Sequence, residues 1–409
     1  MNQSSIPTDE ILEALDLSRA EPGLGFLRAV FNRFNARVPF ETASKILRHS
    51  EFSDPDAKPR RPELFWREHL ELGTGGTCFA RVAAFDALLR SLGFATGKVL
   101  GRVEQDGDHA ALAVDEESGV AICDVGFPLP AILPGRDGRI ETAILDLEVS
   151  RTERGFRIEF DAGVPEGPRE LEIFDARVSD GEFDARWRAT FNSRSRFLSE
   201  VLLRRQEESR VFSYARGEVR VDDRHSRLTV PIGPPRAARL ASLFEIDTGL
   251  LQKAMDLAGE PEPGAGPSRL TAYLETPASA ESAFAAVSSA AAYRRLLDGV
   301  ARVVGEEKTD EGWRLALAPP GEGEPRGSAV LREDVATNPA RLALRVRRRT
   351  GGSVVESELR VERRSGKTYL IREAFFDTPR EDLLRNDSLR GRFAGALAID
   401  LLAWARLIR

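Results

Sequence analysis

The sequence predicts an α+β protein of two domains. Its 409 residues exceed the roughly 100–200 residues of an average domain, so more than one core is expected. Helical spacing of apolar residues dominates the first 50 residues, whereas short strand-like runs follow from residue 97 onward. A segment rich in Pro and Gly, 259–268, interrupts both patterns and predicts a linker. We therefore expect one domain at 1–258 and a second at 269–409.

The N-terminal region is predicted to be helical. Thr8 is placed to cap the first helix, because a threonine oxygen accepts a hydrogen bond from a free N–H group of the first turn. A second helix is predicted at 25–34, the segment 38–41 breaks it, and helix resumes at 42–49. Residues 50–62 are polar and proline-rich and predict a loop.

Cys78 follows a glycine-rich turn, 73–77, and stands at the start of a helix. Glycines permit the tight turn, and the apolar stretch 79–92 after it is strongly helical. Strand patterns come next, separated by acidic turns that contain glycine, and a pair of helices closes the domain. The predicted strands are 97–102, 109–114, 120–125, 156–160 and 169–174, and the closing helices lie within 237–258.

Composition excludes several classes of function. A formal net charge of -6 argues against nucleic acid as a partner, because phosphate binding needs a basic face. No membrane span is expected, since no run of about 18 apolar residues is present, and residues 1–15 lack a secretory signal pattern. Two cysteines make no disulfide framework, which predicts a cytoplasmic protein. Four scattered histidines predict no metal site.

Cys78, His109 and Asp124 form a candidate catalytic triad. The thiolate is the nucleophilic form of cysteine, and a helix N-terminus or a nearby imidazolium favours it. Cys78 has the first influence at the start of its helix. Two antiparallel strands joined by the turn 116–119 would bring His109 and Asp124 side by side, where the carboxylate orients the imidazole.

Each of these residues also has an ordinary structural interpretation. Cys78 alone is a buried thiol at a helix start, and His109 alone is a half-buried histidine with satisfied hydrogen bonds. Asp124 alone is a strand-end cap or an ion-pair partner. Cys123 points to the opposite face of its strand and is expected in the core. The remaining histidines are expected at the surface: His49, His69 and His225.

Several short segments in order resemble the arylamine N-acetyltransferase family. Residues 75–79, Gly-Gly-Thr-Cys-Phe, look like that family's Arg-Gly-Gly-aromatic-Cys-aromatic segment, and residues 124–127 match its Asp-Val-Gly-Phe segment. Residues 38–41, Val-Pro-Phe-Glu, resemble its proline-Phe-Glu motif. The segments 192–197 and 243–246 fall where the family has Ser-x-Phe and Phe-Gly-Ile, so the resemblance runs from about residue 7 to 258.

The resemblance implies a fold and a reaction. The expected fold has a helical subdomain, a small β-barrel and an α/β lid. In the expected ping-pong reaction, Cys78 takes an acetyl or other acyl group from coenzyme A, and an amine, hydrazine or hydroxylamine nitrogen then attacks the thioester. The resemblance further implies that Phe40 and Phe127 bind substrate. It implies acetyl-CoA or another acyl-CoA and a small-molecule amine as partners, with no metal.

The chain departs from the family's pattern beside these motifs. Thr74 stands in place of the arginine before Gly-Gly, Ala80 and Val82 replace a Glu and an Asn, and Thr42 and Pro128 replace an Asn and a Gly. A biosynthetic acyltransferase that uses another acyl thioester is consistent with these changes. Two other classes stay open. One is a degenerate acyltransferase fold that serves as a scaffold or ligand-binding protein, and the other is a transglutaminase-like thiol hydrolase with the same three residue types.

The second domain shows a strand at 270–274, a helix at 280–297, a series of strands and a long amphipathic helix at 389–407. This order resembles the helix-grip fold of the polyketide cyclase and START-like superfamily over 268–409, and residues 277–284, Pro-Ala-Ser-Ala-Glu-Ser-Ala-Phe, are much like its Pro-Ala-Ser-x-Glu-x-Phe beginning. The resemblance implies an apolar cavity and a hydrophobic ligand. The apolar stripe of the last helix is more simply core: Leu389, Phe393, Leu397, Leu401 and Trp404.

Overall fold

The computed structural model divides the chain into two units. The first comprises Met1–Val219 and Ile232–Pro263, and the second comprises Arg220–Pro231 and Gly264–Arg409. The domain limits expected at 258 and 269 stay predictions. The structure describes residues 6–117, 119–161, 170–192, 195–207, 209–260, 268–279, 282–283, 302–309, 312–318, 327–332, 343–350, 353–364, 367–376, 382–385, 390, 394 and 397.

The first unit begins with a helical layer. Its helices are α1 (Thr8–Ala14), α2 (Leu24–Arg37), α3 (Ala43–Glu51), α4 (Pro62–Leu72) and α5 (Cys78–Ser91). The prediction that Thr8 caps α1 is wrong, because Pro7 is the capping residue and Thr8 is the first residue of the helix.

Helix α4 was not predicted from the sequence, although residues typical of both helix ends are present. Pro62 stands in the first turn, where its missing N–H costs nothing, and Gly73 ends the helix in the left-handed conformation with φ 67°. The polar, proline-rich composition of residues 50–62 predicted a loop there. In the structure that loop ends at Arg61, and α4 begins at Pro62.

A seven-stranded antiparallel sheet follows in the first unit. The strands are β2 (Thr96–Arg102), β3 (Asp106–Glu116), β4 (Gly119–Cys123), β5 (Gly138–Glu141), β6 (Asp146–Arg151), β7 (Gly155–Asp161) and β8 (Glu170–Arg177). Their order is β4-β3-β2-β8-β7-β6-β5, with β4 and β5 at the edges. Among the described residues the sheet is a curled half-barrel, where a small β-barrel was expected.

Three further paired strands and four helical segments complete the first unit. Strand β1 (Phe40–Glu41) pairs antiparallel with β9 (Leu203–Gln206), which pairs antiparallel with β10 (Arg210–Ala215). Helix α6 (Asp180–Ala189) and a short 3-10 helix (Arg196–Leu198) precede β9 in the chain. Helices α7 (Arg236–Phe244) and α8 (Thr248–Ala258) follow and confirm the predicted closing pair.

Helix α5 lies at the centre of the first core. It is buried on nearly every side, including Cys78 and Arg81, and packs against one face of β2, β3 and β4. The rings of Phe34 and Phe85 lie 4.9 Å apart, and Phe34 contacts Trp66 edge-on at 5.8 Å. Each such buried ring stabilises the fold by roughly 1.5–3 kcal/mol. A second cluster lies on the other face of the sheet around Val99, Ala111, Ile122, Ile158 and Ile173.

The second unit contains an antiparallel sheet. Strand β11 (Glu218–Asp223) comes before β12 (Ser226–Pro231) in the chain. Strand β12 pairs with β13 (Ser268–Thr276), and β13 pairs with β19 (Lys367–Phe376). The sheet continues from β19 in the order β18 (Ser353–Arg364), β17 (Ala343–Thr350), β16 (Gly327–Arg332), β15 (Gly312–Ala318) and β14 (Arg302–Thr309). These strands confirm the predicted strand series. The helix predicted at 280–297 and the long helix at 389–407 lie almost wholly outside the described residues, so the helix-grip fold stays a prediction.

The turn before Cys78 is fixed against β1. Gly76 donates its N–H to Pro39 O at 3.3 Å, and Glu41 N donates to Gly76 O at 3.2 Å, which makes a parallel bridge between Phe40 and Gly76. A side chain on Gly75 would overlap the carbonyl oxygen of Pro39. The glycine is therefore required by close backbone approach.

We expect Gly75→Ala to lower the free energy of unfolding by about 1–3 kcal/mol or more, because its Cβ separates this turn from β1. Gly25→Ala is the matched control. Nothing lies within 4 Å of a Cβ at Gly25 in α2, so alanine there is neutral or stabilises by at most about 1 kcal/mol. Urea unfolding followed by circular dichroism measures both. Equal stability of the two variants would contradict the close approach at Gly75.

Candidate active site

The structure brings Cys78, His109 and Asp124 together. His109 Nε2 lies 2.8 Å from Asp124 Oδ2. A Cβ atom on Gly126 would lie 2.9 Å from both Cys78 Cβ and His109 Cε1, so the thiol and the imidazole meet beside this glycine. With Nε2 on the carboxylate, Nδ1 is the ring nitrogen that remains for the thiol.

Three different elements supply these side chains. Cys78 is the first residue of α5 and is 6% exposed. His109 lies within β3, which begins at Asp106, three residues earlier than the predicted strand. Asp124 directly follows β4. Leu112 pairs with Cys123 in the β3–β4 ladder, so the predicted hairpin is confirmed and its open end carries both His109 and Asp124.

Hydrogen bonds hold the loops beside the three residues. Asp124 Oδ1 accepts from Phe127 N at 2.8 Å, so both carboxylate oxygens have donors. The carboxylate of Asp108 accepts from the backbone N–H groups of Val103, Glu104 and Gln105 at 2.8–2.9 Å. The carbonyl oxygen of Asp108 lies 3.9 Å from Cys78 Sγ, so this loop borders the thiol directly.

The surroundings of His109 raise its pKa. Burial by itself lowers its pKa, but the charge of Asp124 and hydrogen bonds to Asp124 and Cys78 together raise the pKa to about 10. This value exceeds the pKa of about 6.5 for an unfolded histidine. The pairing therefore stabilises the fold in full below pH 6.5, and the contribution is lost as the pH rises through about 10.

The two cysteines differ in their surroundings. Cys78 lies at the N-terminus of α5, where the helix dipole favours an anion, and beside a protonated imidazole. Cys123 is fully buried, and burial together with Glu116 and Asp124 raises its pKa. Both are free, and Cys123 lies in the core as predicted. Only Cys78 has the environment of a reactive thiol.

Phe40 and Phe127, expected to bind substrate, lie on a half-buried surface next to the histidine. The Phe127 ring is 6.4 Å from the His109 ring, and the Arg204 guanidinium lies 5.7 Å from the Phe127 ring. Phe40 is the Cα partner of Arg204 in the β1–β9 ladder, so their side chains share one face. Phe197 packs edge-on against Phe40 at 5.8 Å. We call Phe40, Phe127, Phe197 and Arg204 the aromatic wall.

The Arg60 side chain contacts Thr74, the residue that stands in place of the arginine in the resembling motif. Its buried guanidinium donates to Thr74 Oγ1 at 3.1 Å and to the carbonyl oxygen of Gly75. It also pairs with Glu68 at 2.6 Å and with the fully buried Glu41 at 3.5 Å. An arginine from the loop before α4 thus holds the turn that precedes Cys78. The sequence analysis did not identify it, because Arg60 stands 14 residues from Thr74 in the chain.

Arg81 is a second buried arginine that the sequence did not single out. From the first turn of α5 it donates to Val125 O at 2.7 Å, to Val38 O, and to Asn35 Oδ1 at 2.9 Å. Burial lowers its pKa to about 9, against the charges of Asp124 and Glu41, which raise it. Arg81 therefore joins the segments on both sides of the candidate triad.

The other departures from the family's pattern lie in packed positions. Ala80 and Val82 belong to the core around α5. The hydroxyl of Thr42 donates to Glu200 O at 2.7 Å and accepts from Leu202 N at 2.9 Å, which fixes the start of α3. Ser193 and Arg194 of the expected Ser-x-Phe segment lie outside the described residues.

The prediction that His69 lies at the surface is wrong. It is 9% exposed, and its Nδ1 donates to Thr74 O at 2.8 Å. Burial lowers its pKa to about 4, so the ring is neutral and supports the Gly-rich turn by a hydrogen bond alone.

Within the described part of the chain, no group of three His, Cys, Asp or Glu side chains is placed to hold a metal ion. No helix in that same part is long and apolar enough to cross a membrane.

Comparisons with known proteins agree with this geometry. Residues 23–136, which contain Cys78, His109 and Asp124, match a family model described as N-acetyltransferase. The arylamine N-acetyltransferase from Mycobacterium abscessus is similar in structure, with TM-score 0.52 and 20% identity over 62% of this chain and 95% of that one. The chain contains the fold of these acetyltransferases. The family match places that fold in the first unit.

Two further solved structures show the same similarity. The arylamine N-acetyltransferase from Salmonella typhimurium has TM-score 0.52 and 19% identity, over 61% of this chain and 97% of that one. The Mycobacterium marinum arylamine N-acetyltransferase in complex with CoA has TM-score 0.52 and 16% identity, over 61% and 98%. No curated protein matches the chain.

We expect Asp124→Asn to slow alkylation of Cys78 by iodoacetamide at pH 7 by at least about tenfold, the effect of one pKa unit on a titrating group. Burial lowers the pKa of His109 and Asp124 opposes it, so the amide leaves a neutral imidazole beside the thiol. Rates between pH 5 and 9, with the labelled cysteine assigned by peptide mass spectrometry, measure this. Asp16→Asn at the exposed end of α1 is the control. Wild-type rates in Asp124→Asn at every pH would contradict the pairing.

We expect Arg60→Met to lower the free energy of unfolding by about 3–5 kcal/mol, because it leaves the Glu41 carboxylate buried without its cation. The neighbouring Arg61→Met removes only an exposed pair with Asp184 and costs at most about 1 kcal/mol. Denaturant unfolding compares the two.

A second variant tests whether position 60 supplies the missing arginine. We expect the double variant Arg60→Thr/Thr74→Arg to have a higher free energy of unfolding than Arg60→Thr alone. The arginine introduced at position 74 would place its guanidinium near the Glu41 carboxylate, which Arg60 neutralises in the wild type. A double variant less stable than the single one would show that the two positions do not exchange.

Proposed function

We propose that the first unit is an N-acyltransferase that carries an acyl group from a coenzyme A thioester to an amine through a thioester on Cys78. The observation that carries the proposal is the position of His109, held by Asp124 at 2.8 Å and placed beside Cys78 at the start of α5. An imidazolium and a helix N-terminus are the two surroundings that favour a thiolate nucleophile. The N-acetyltransferase match at 23–136 and the CoA complex of a structural relative support the same donor class.

In the first half-reaction the Cys78 thiolate attacks the carbonyl carbon of the acyl thioester. A bond forms between Sγ and the acyl carbon, the bond from that carbon to the coenzyme A sulfur breaks, and the imidazolium of His109 gives its proton to the departing thiolate. Asp124 keeps the imidazole oriented throughout. The products are acyl-Cys78 and free coenzyme A.

In the second half-reaction the amine nitrogen attacks the acyl carbon of acyl-Cys78. The neutral His109 accepts the proton that the nitrogen loses, the bond between Sγ and the acyl carbon breaks, and the Cys78 thiolate returns. Phe40 and Phe127 of the aromatic wall form the surface for the acceptor beside His109. No metal takes part in either half-reaction.

The proposal extends to location and to the second unit. Two free, buried cysteines are consistent with a cytoplasmic enzyme. The second unit is proposed as a helix-grip module for a hydrophobic ligand. The helices that would enclose its cavity lie outside the described residues.

Intact-protein mass spectrometry tests the ping-pong thiol. Wild type, Cys78→Ser and Cys123→Ala are each incubated with acetyl-, malonyl- and propionyl-coenzyme A. We expect one acyl mass shift in wild type and Cys123→Ala and none in Cys78→Ser, because only Cys78 lies beside His109. The size of the shift identifies the donor.

Two other outcomes identify the alternative classes. An adduct that disappears without an amine present indicates a thiol hydrolase of transglutaminase-like type. No adduct with any donor, together with iodoacetamide labelling of Cys78 no faster than free cysteine, leaves a non-catalytic scaffold and ends the acyltransferase proposal.

A further inference from the structure

Lys45 is a buried cation that the proposed chemistry leaves unused. It lies in the first turn of α3, four residues after Glu41, and is 5% exposed. Burial lowers its pKa to about 8, against the charge of Cys78, which raises it. A buried lysine normally has a carboxylate beside it, because an isolated buried charge is costly.

The contacts of Lys45 include no carboxylate among the described residues. Nζ donates to Thr190 Oγ1 at 2.8 Å and lies 4.9 Å from the Phe191 ring and 5.7 Å from the Phe197 ring. The Thr190 hydroxyl itself donates to Trp187 O at 2.7 Å. An ammonium has three N–H donors, so one hydroxyl and two ring faces leave it incompletely satisfied.

Lys45 also extends the aromatic wall. Phe197, which lies beside Lys45, packs on Phe40, and Phe40 shares its strand face with Arg204. Arg204 in turn lies over Phe127, next to His109. A half-buried surface thus runs from the histidine to Lys45 with a cation at each end of its aromatic part. A carboxylate on this surface matches the charge of the Lys45 ammonium, whereas a neutral substrate does not.

We propose that Lys45 determines specificity by binding a carboxylate group of the substrate next to Cys78. The inference rests on the acyltransferase proposal for the reacting atoms, and it adds the chemical class of the group that is recognised. A carboxylate supplies the oxygen acceptors that the Lys45 ammonium lacks, in surroundings where water competes little. The carboxylate has two sources, a dicarboxylic acyl group of the donor or an acid group on the amine acceptor.

The donor arm compares malonyl- with acetyl-coenzyme A. We expect wild type to form malonyl-Cys78 faster than acetyl-Cys78, and Lys45→Met to slow malonylation by roughly tenfold to a hundredfold while acetylation changes little. Methionine keeps the length and apolar stem of lysine without its charge. Intact-protein mass spectrometry over time measures both rates.

The acceptor arm uses binding as well as turnover. We expect wild type to bind 4-aminobenzoate at least about tenfold more tightly than aniline by isothermal titration calorimetry, and Lys45→Met to lose this difference. This measurement needs no acyl transfer, so it separates failure of the lysine inference from failure of the proposed reaction. Release of coenzyme A with each amine then tests the second half-reaction.

Control variants keep the test independent of folding. Lys253→Met removes an exposed lysine on α8 and is expected to behave as wild type. Lys45→Arg retains the charge and is expected to keep the preference for the carboxylate in part. Selective loss in the donor arm or in the acceptor arm supports the proposal and identifies the source. Equal rates and equal affinities for charged and neutral substrates in wild type would overturn it, whatever the variants do.

Discussion

The hydrogen bond between His109 and Asp124 is the interaction on which the site depends. It lies at the open end of the β3–β4 hairpin, where both side chains are almost free of solvent. Because the pair is buried, the carboxylate charge acts at full strength and keeps the imidazole protonated. Gly126 is equally necessary, since a side chain there would occupy the space in which Cys78 and His109 meet.

The surroundings of the site are unusually rich in buried charge. Arg60 is balanced by Glu41 and Glu68, and it holds the turn before Cys78 through Thr74 and Gly75. Arg81 joins the segments around Val38 and Val125. Oxygen acceptors replace the water of both guanidinium groups, which makes their burial tolerable. Arg60 has two carboxylates and a backbone carbonyl, and Arg81 has two backbone carbonyls and the Asn35 amide oxygen. Lys45 differs, because a hydroxyl and two aromatic rings are its contacts among the described residues.

This contrast separates structural charges from the charge that we assign to recognition. An arginine that is satisfied by the protein can only fix loops, whereas an ammonium with unused donors has capacity for a ligand. The aromatic wall links these roles, since it begins at His109 and ends beside Lys45. Binding and chemistry would then share one continuous surface, which positions the acyl carbon against Cys78.

The sequence by itself predicted most of the local elements and the candidate residues for the chemistry. Periodicity predicted α2, α3 and α5 and most strands, and the motif contexts around Cys78, His109 and Asp124 predicted their role. It did not show α4, the burial of His69 or the strand order of the seven-stranded sheet. It also did not show the contacts of Arg60, Arg81 and Lys45. Those features depend on partners far apart in the chain. Arg60 meets Thr74, and Lys45 meets Thr190, only after folding, so the tertiary structure alone decided which charges are neutralised by the protein and which is left for a ligand.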